Sequence, residues 1–330
     1  MKGEIYFACY NPPPEFDLNY YRMAYPELNR FGDKILFEHY KRYAVEQGHS
    51  TCIYDRREYL QKLLQDTIDN NHLKTLEISP WDSPFLRGDN VKYFETMNAE
   101  DLRKATIGFG RNLNTLPQKI DFIEENGDLS VINETFDIVF TSHVIEHCPD
   151  LIEHFRSVSR ILNAGGVYVL IIPDKRYCFD YYHAESTISE VIEAFAAKRK
   201  IPRLADVINL AYTRTHNNAI LHWLGYHGER YGYQRNPPAE GDAKAEIMGE
   251  YFHDDGRGAN LQELSRLVSK YSEALDNGKY ISTHNWRFTP DSFGYIVDML
   301  NKLGLIMLSR YRLCHTIWGR QEFIAMLEKI

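Results

Sequence analysis

The chain has 330 residues, of which 44% are hydrophobic and 25% charged, the balance of an ordinary globular protein with one large domain or a core plus a sizeable addition. A net charge of −8 with no long basic run argues against a nucleic-acid backbone as partner. No run of eighteen apolar residues occurs, so no membrane-spanning helix and no membrane partner are expected.

The start of the chain lacks a basic segment followed by a long apolar run, so no signal peptide is expected. Residues 1–32, rich in Tyr, Pro and Asn, read as an irregular arm. Residues 33–47 form a predicted helix, with Asp33 as cap, Ile35, Leu36, Tyr40 and Tyr43 at helical spacing and Gly48 as stop. A second helix is predicted over 56–70, with Tyr59, Leu60, Leu63, Leu64 and Ile68 on one face. The pattern then changes to short apolar strands at 74–78, 91–95, 120–123 and 136–140. A helix follows over 151–162, broken by Asn163-Ala164-Gly165-Gly166, and then a continuously apolar strand over 167–172. Strands alternating with helices imply a parallel sheet covered on both faces.

After about 184 the strand signal disappears. Helices are predicted over 187–200 and 259–276, separated by a stretch rich in Tyr, His and Gly. Thr289-Pro290 opens a helix that Gly304 stops. Strands at 305–313 and 321–327 flank a turn at Trp318-Gly319. The expected fold is therefore α/β: a doubly wound, mostly parallel sheet with an antiparallel C-terminal strand and a helical insertion. The expected units are an N-terminal arm with helices (1–72), a core (73–183 with 285–330) and the insertion (184–284). The five scattered cysteines (Cys9, Cys52, Cys148, Cys178, Cys314) contain no CxxC pair. That pattern suggests reduced thiols in a cytoplasmic compartment and speaks against a cysteine zinc site.

Strand direction places the residues after Phe140 and after Ile172 at the carboxyl edge of the sheet, where such folds bind ligands. The run FDIVFTSHVIEHCPDLIEHFRSVSRILNAGGVYVLIIPDKRYCFD resembles the fourth strand, following helix and fifth strand of class I S-adenosylmethionine (SAM)-dependent methyltransferases. LKTLEISPWDSPFL resembles that family's first motif. PDKRYCFD and HNWRFTPDSF resemble a type 11-like subgroup acting on small molecules or glycans. The resemblance covers roughly 74–180 and 289–328. It departs from the family at the loop, where Ser79-Pro80-Trp81 replaces a Gly-x-Gly. Pro80 offers no N–H, and a side chain at position 81 crowds a close approach.

The resemblance implies SAM as cofactor. Glu77 would orient the loop and the methionine amino group, with Ser79, Pro80 and Trp81 against the cofactor. Glu95 would accept both ribose hydroxyls. Asn126, Gly127 and Asp128 would read the adenine amine, and Ser142 and His143 would line the methionine end. The acceptor, a small molecule or sugar methylated on oxygen, would sit beyond the fifth strand. There His147 and Asp174 are candidate bases and Arg176 a candidate anion holder; the alternative is a capping Asp174 and a structural ion pair to Arg176. The insertion would form a lid. A non-catalytic relative that keeps the fold is the alternative function.

His143-Val144-Ile145-Glu146-His147 also fits the HxxEH pattern of a zinc peptidase. That chemistry needs both histidines on one helical face, and here the motif directly follows a strand and precedes Pro149. No metal is therefore expected. The histidines of the insertion, including His222 and His227 five apart, read as surface or satisfied core residues.

Overall fold

The computed structural model describes residues 16–228, 261–278 and 281–330. Its centre is a seven-stranded sheet: β1 (Thr75–Ile78), β2 (Val91–Glu95), β3 (Phe122–Ile123), β4 (Phe136–Ser142), β5 (Leu162–Pro173), β6 (Leu308–Cys314) and β7 (Glu322–Lys329). The order is β3-β2-β1-β4-β5-β7-β6. Strands β1 to β5 pair in parallel, and β7 runs antiparallel between β5 and β6. The chain moves outward from β1 through β2 to β3, then returns to place β4 on the other side of β1. The crevice for a ligand therefore lies beyond the carboxyl ends of β1 and β4.

Side-chain alternation divides the sheet between two cores. Leu76, Ile78, Val139, Leu170 and Ile172 face helices Leu151–Ile161 and Pro290–Lys302. Ile138, Phe140, Val169 and Ile171 face helix Arg57–Asn71, through Leu60, Leu64 and Ile68. Two of these helices begin at side-chain caps, of which the sequence predicts the one at Thr289. Asp150 accepts from the Glu153 amide, and Thr289 with Pro290 starts the last helix.

Several expectations need correction. The arm is not wholly irregular: Asp17 caps a helix over Leu18–Ala24, and Tyr21 packs with Phe16, Leu36 and Tyr40 in a small aromatic core. The rest of the arm (1–15) and most of the Tyr-, His- and Gly-rich stretch (229–260) lie outside the described residues. Helix Ala99–Gly108, capped by Asn98, stands where no element is predicted. In the insertion, Leu204–Thr213 and Ala219–Trp223 join the expected helices, which span Ile188–Ala196 and Leu261–Asn277.

β5 begins at Leu162 rather than after the glycines. Gly165 takes φ of 72° inside it, and a Cβ on Gly166 would stand 2.9 Å from the Asn163 carbonyl oxygen. The bend is thus absorbed within the strand. Among the described residues, no helix is long and apolar enough to cross a membrane.

Candidate active site

The β1 loop decides whether the cofactor's place survives without glycines. Ser79 and Trp81 stand where the family's two glycines would, and both adopt left-handed backbone, at φ of 52° and 50°. Only glycine takes this region without cost, so the loop keeps a glycine path with other residues. Hydrogen bonds hold it there. The Ser79 amide donates to the Phe94 carbonyl at 2.8 Å, and the Trp81 amide donates to Glu95 Oε2 at 3.1 Å. The Trp81 ring turns toward helix Ala99–Gly108, edge-on to Phe109 and under the Arg111 guanidinium, which also pairs with buried Asp82.

Glu77, next to last in β1, is buried. Its two oxygens accept the Phe85 and Leu86 amides at 2.8 and 2.9 Å, so it fixes the far limb of the same loop. Burial pushes its carboxyl up to about 7, against those two amides. Glu95 ends β2, 2% exposed. It also accepts the Thr96 amide at 2.9 Å, and burial raises its carboxyl above the ordinary value. A carboxylate has about four lone-pair positions, so Glu95 keeps acceptor capacity beyond its loop contacts. Beyond β3, Gly127 takes φ of 77°, and the Glu124 carboxylate gathers the Asn126 and Asp128 amides. Asp128 caps the turn Leu129–Val131.

Two cavities of 390 and 100 Å³ adjoin at the carboxyl ends of β4 and β5, and both are lined by His143, Asn217 and Gln321. Arg57, Arg320 and Glu322 extend the larger one. Arg57 was not singled out by sequence, because nothing local marks it; folding brings its Nη1 to 3.1 Å from Ser142 Oγ and 3.8 Å from Glu322 Oε1. His143 sits at φ of 56° as the chain leaves β4. Burial lowers its pKa, reinforced by the neighbouring Arg57 and His284.

The smaller cavity reaches Glu146, His147 and His284. Glu146 is fully buried, and burial pushes its carboxyl up to about 7. His147 is held neutral by burial and by the nearby His284 and His143. The return segment of the insertion clamps this corner. The Asn285 amide donates to the Glu146 carbonyl at 2.6 Å, and Trp286 Nε1 donates to the Cys148 carbonyl at 2.6 Å.

Asp174 and Arg176 meet each other. Asp174 is fully buried at the end of β5 and accepts Arg176 Nη2 at 2.6 Å, the Arg176 amide at 3.0 Å and Thr316 Oγ1 at 2.7 Å. Arg287 lies outside both cavity linings and donates to Asp206 Oδ1 at 2.6 Å, buried. His222 bonds His227 through Nδ1 at 3.0 Å and the His216 carbonyl through Nε2 at 3.1 Å.

Residues 87–170 match the family described as "Methyltransferase domain". No curated protein matches. Similar solved structures include an S-adenosylmethionine-dependent methyltransferase from Clostridium acetobutylicum ATCC 824, at 14% identity, covering 47% of this chain and 62% of that one, TM-score 0.28. The DszA carbon methyltransferase is similar at 11% identity, over 83% of this chain and 53% of that one, TM-score 0.35. Magnesium protoporphyrin IX methyltransferase from Synechocystis PCC 6803 with bound SAH is similar at 8% identity, over 91% of this chain and all of that one, TM-score 0.33. The chain thus spans 62% and 53% of the length of the first two.

The donor set fits SAM: a buried acid stands at or next to the carboxyl end of each of β1 and β2, and the loop between them keeps its glycine path. The strand order and the matched segment agree on a methyltransferase domain within the chain, over residues 87–170.

Proposed function

We propose that this protein transfers a methyl group from SAM to an oxygen of a small-molecule or sugar-like acceptor. The observation that carries this reading is the left-handed Ser79–Trp81 loop bonded to Glu95 at the switch point of the sheet. When bound there, SAM supplies an electrophilic methyl on a sulfonium. The chain's contribution is then positioning, together with removal of the acceptor's proton.

Glu95 would hold the ribose, Glu77 would keep the loop in place, and Asn126, Gly127 and Asp128 would flank the adenine. Ser142, His143 and Arg57 would line the methionine end, Arg57 facing its carboxylate. The acceptor would occupy the two adjoining cavities, under the lid formed by the insertion; Asn217 and Ala219 already line the larger one. Its hydroxyl would face the wall of Glu146, His147 and His284. We assign Asp174 and Arg176 a structural role, because each is the other's partner.

We place the reaction in a reducing, cytoplasm-like compartment, as the scattered cysteines without a CxxC pair suggest. The competing reading is a binding protein that keeps the fold. Pro80 has no N–H, and the Trp81 N–H already belongs to Glu95. Incubation with methyl-labelled SAM and a panel of hydroxylated sugars and phenols separates the two. Label transfer to an acceptor supports the enzyme. SAM binding with no transfer to any acceptor, and no slow hydrolysis, supports the binding protein.

A further inference from the structure

We propose that Glu146, His147 and His284 form a mononuclear site for a divalent transition metal of the zinc class, opening onto the smaller cavity. The site stands on side-chain geometry alone and does not rest on the methyl-transfer reading. One ligand atom from each of the three residues lies within 4.8 Å of the others. Tetrahedral nitrogen and oxygen ligands around zinc are about 3.4 Å apart, so closure needs a movement of under about 1 Å per side chain.

The ring nitrogens are arranged for ligation. His147 Nδ1 is 3.1 Å from the Thr283 carbonyl oxygen. A carbonyl only accepts, so Nδ1 carries the proton and Nε2 carries the lone pair, 4.0 Å from Glu146 Oε1. His284 Nδ1 likewise donates to the buried Asp180 carboxylate, so the neutral ring that binds a metal presents its lone pair on Nε2. Metal-binding histidines typically show this pattern, one ring N–H on a carbonyl or carboxylate and the other nitrogen on the ion. Here one histidine has each kind of partner.

Glu146 supplies the second observation. Its side chain is 0% exposed, and neither oxygen has a hydrogen-bond partner among the described residues. An uncompensated carboxylate in such a place is costly, and a cation held by two imidazoles would offset that cost. The backbone clamp between 146–148 and 283–286 holds the three ligands in register. The arrangement differs from a zinc peptidase, in which both histidines of HxxEH share a helix face. Here His143 precedes the turn Ile145–His147 in a left-handed conformation, and His284, from the end of the insertion, takes the second place. Two histidines and one carboxylate leave a coordination position facing the 100 Å³ cavity.

The test uses the full chain without SAM. After dialysis against excess Zn²⁺ and desalting, metal analysis should find one zinc per chain. Titration with Co²⁺ should give the visible bands of a low-coordinate nitrogen and oxygen site. His284→Ala and Glu146→Gln should each weaken Co²⁺ binding by about 100-fold or more. Asp180→Asn, acting through His284, should weaken it by about 10–100-fold with the spectrum kept. His222→Ala should change nothing. Folded wild-type protein that retains no stoichiometric zinc and shows no cobalt bands would overturn the site, whatever the variants do. Unchanged cobalt affinity in folded His284→Ala would overturn it as well.

Discussion

Ser79 and Trp81 hold left-handed backbone that glycine would adopt freely. Ser79→Gly should therefore stabilise the protein, by up to about 1 kcal/mol, since removing the Cβ penalty outweighs the added freedom of the unfolded chain. Denaturant unfolding checks this; a loss of stability of that size would show that the loop is not strained at Ser79. Glu77 makes a pH-dependent contribution. Burial raises its folded value from 4.5 to about 7, so the protonated form is favoured by folding. Its contribution is complete below 4.5 and is lost as pH rises through about 7. Wild type should lose stability relative to Glu77→Gln across that window, and a flat difference between the two would contradict it. Sequence picked out Glu77, Ser79 and Glu95 because strand ends are local features. It could not show that positions 79 and 81 keep the glycine conformation, since that depends on the Glu95 carboxylate and the Phe94 carbonyl of a neighbouring strand.

At the scale of elements, the insertion is tied to the core through Arg287. Its guanidinium is buried between Asp206 of helix Leu204–Thr213 and Asp180. Removing one partner of a buried pair leaves charge uncompensated, so Arg287→Ala should cost about 3 kcal/mol in equilibrium unfolding. Arg203, the more exposed partner of the same Asp206, should cost about 1 kcal/mol or less. Equal losses would mean that the anchor is not at Arg287. The strands were legible because β4 and β5 are near-continuous apolar runs, as a strand buried on both faces requires. Helix Ala99–Gly108 was not, because it buries only Leu102 and Thr106 and so has little apolar period to read. Asp174 and Arg176 illustrate the same limit. Sequence places both after β5, but only folding shows that they bond each other and Thr316.

At the scale of the molecule, the strand order creates one crevice, and the chemistry-bearing residues gather along it. Glu77 and Glu95 stand at or next to the carboxyl ends of β1 and β2, His143 follows β4, and the insertion returns His284 to the same edge. The sequence places the chain's return to the core at His284, but not the meeting of His284 with His147, because the two lie in separate segments with no motif joining them. The central claim is that this edge still receives SAM although its loop has no glycine. Isothermal titration of the full chain with SAM tests it most directly, with Glu95→Gln as the comparison. The account predicts saturable binding at one site per chain, weakened about 10-fold or more in the variant, the loss expected for a charged hydrogen-bond acceptor. Absence of binding by folded wild-type protein, or equal affinity in Glu95→Gln, would contradict it.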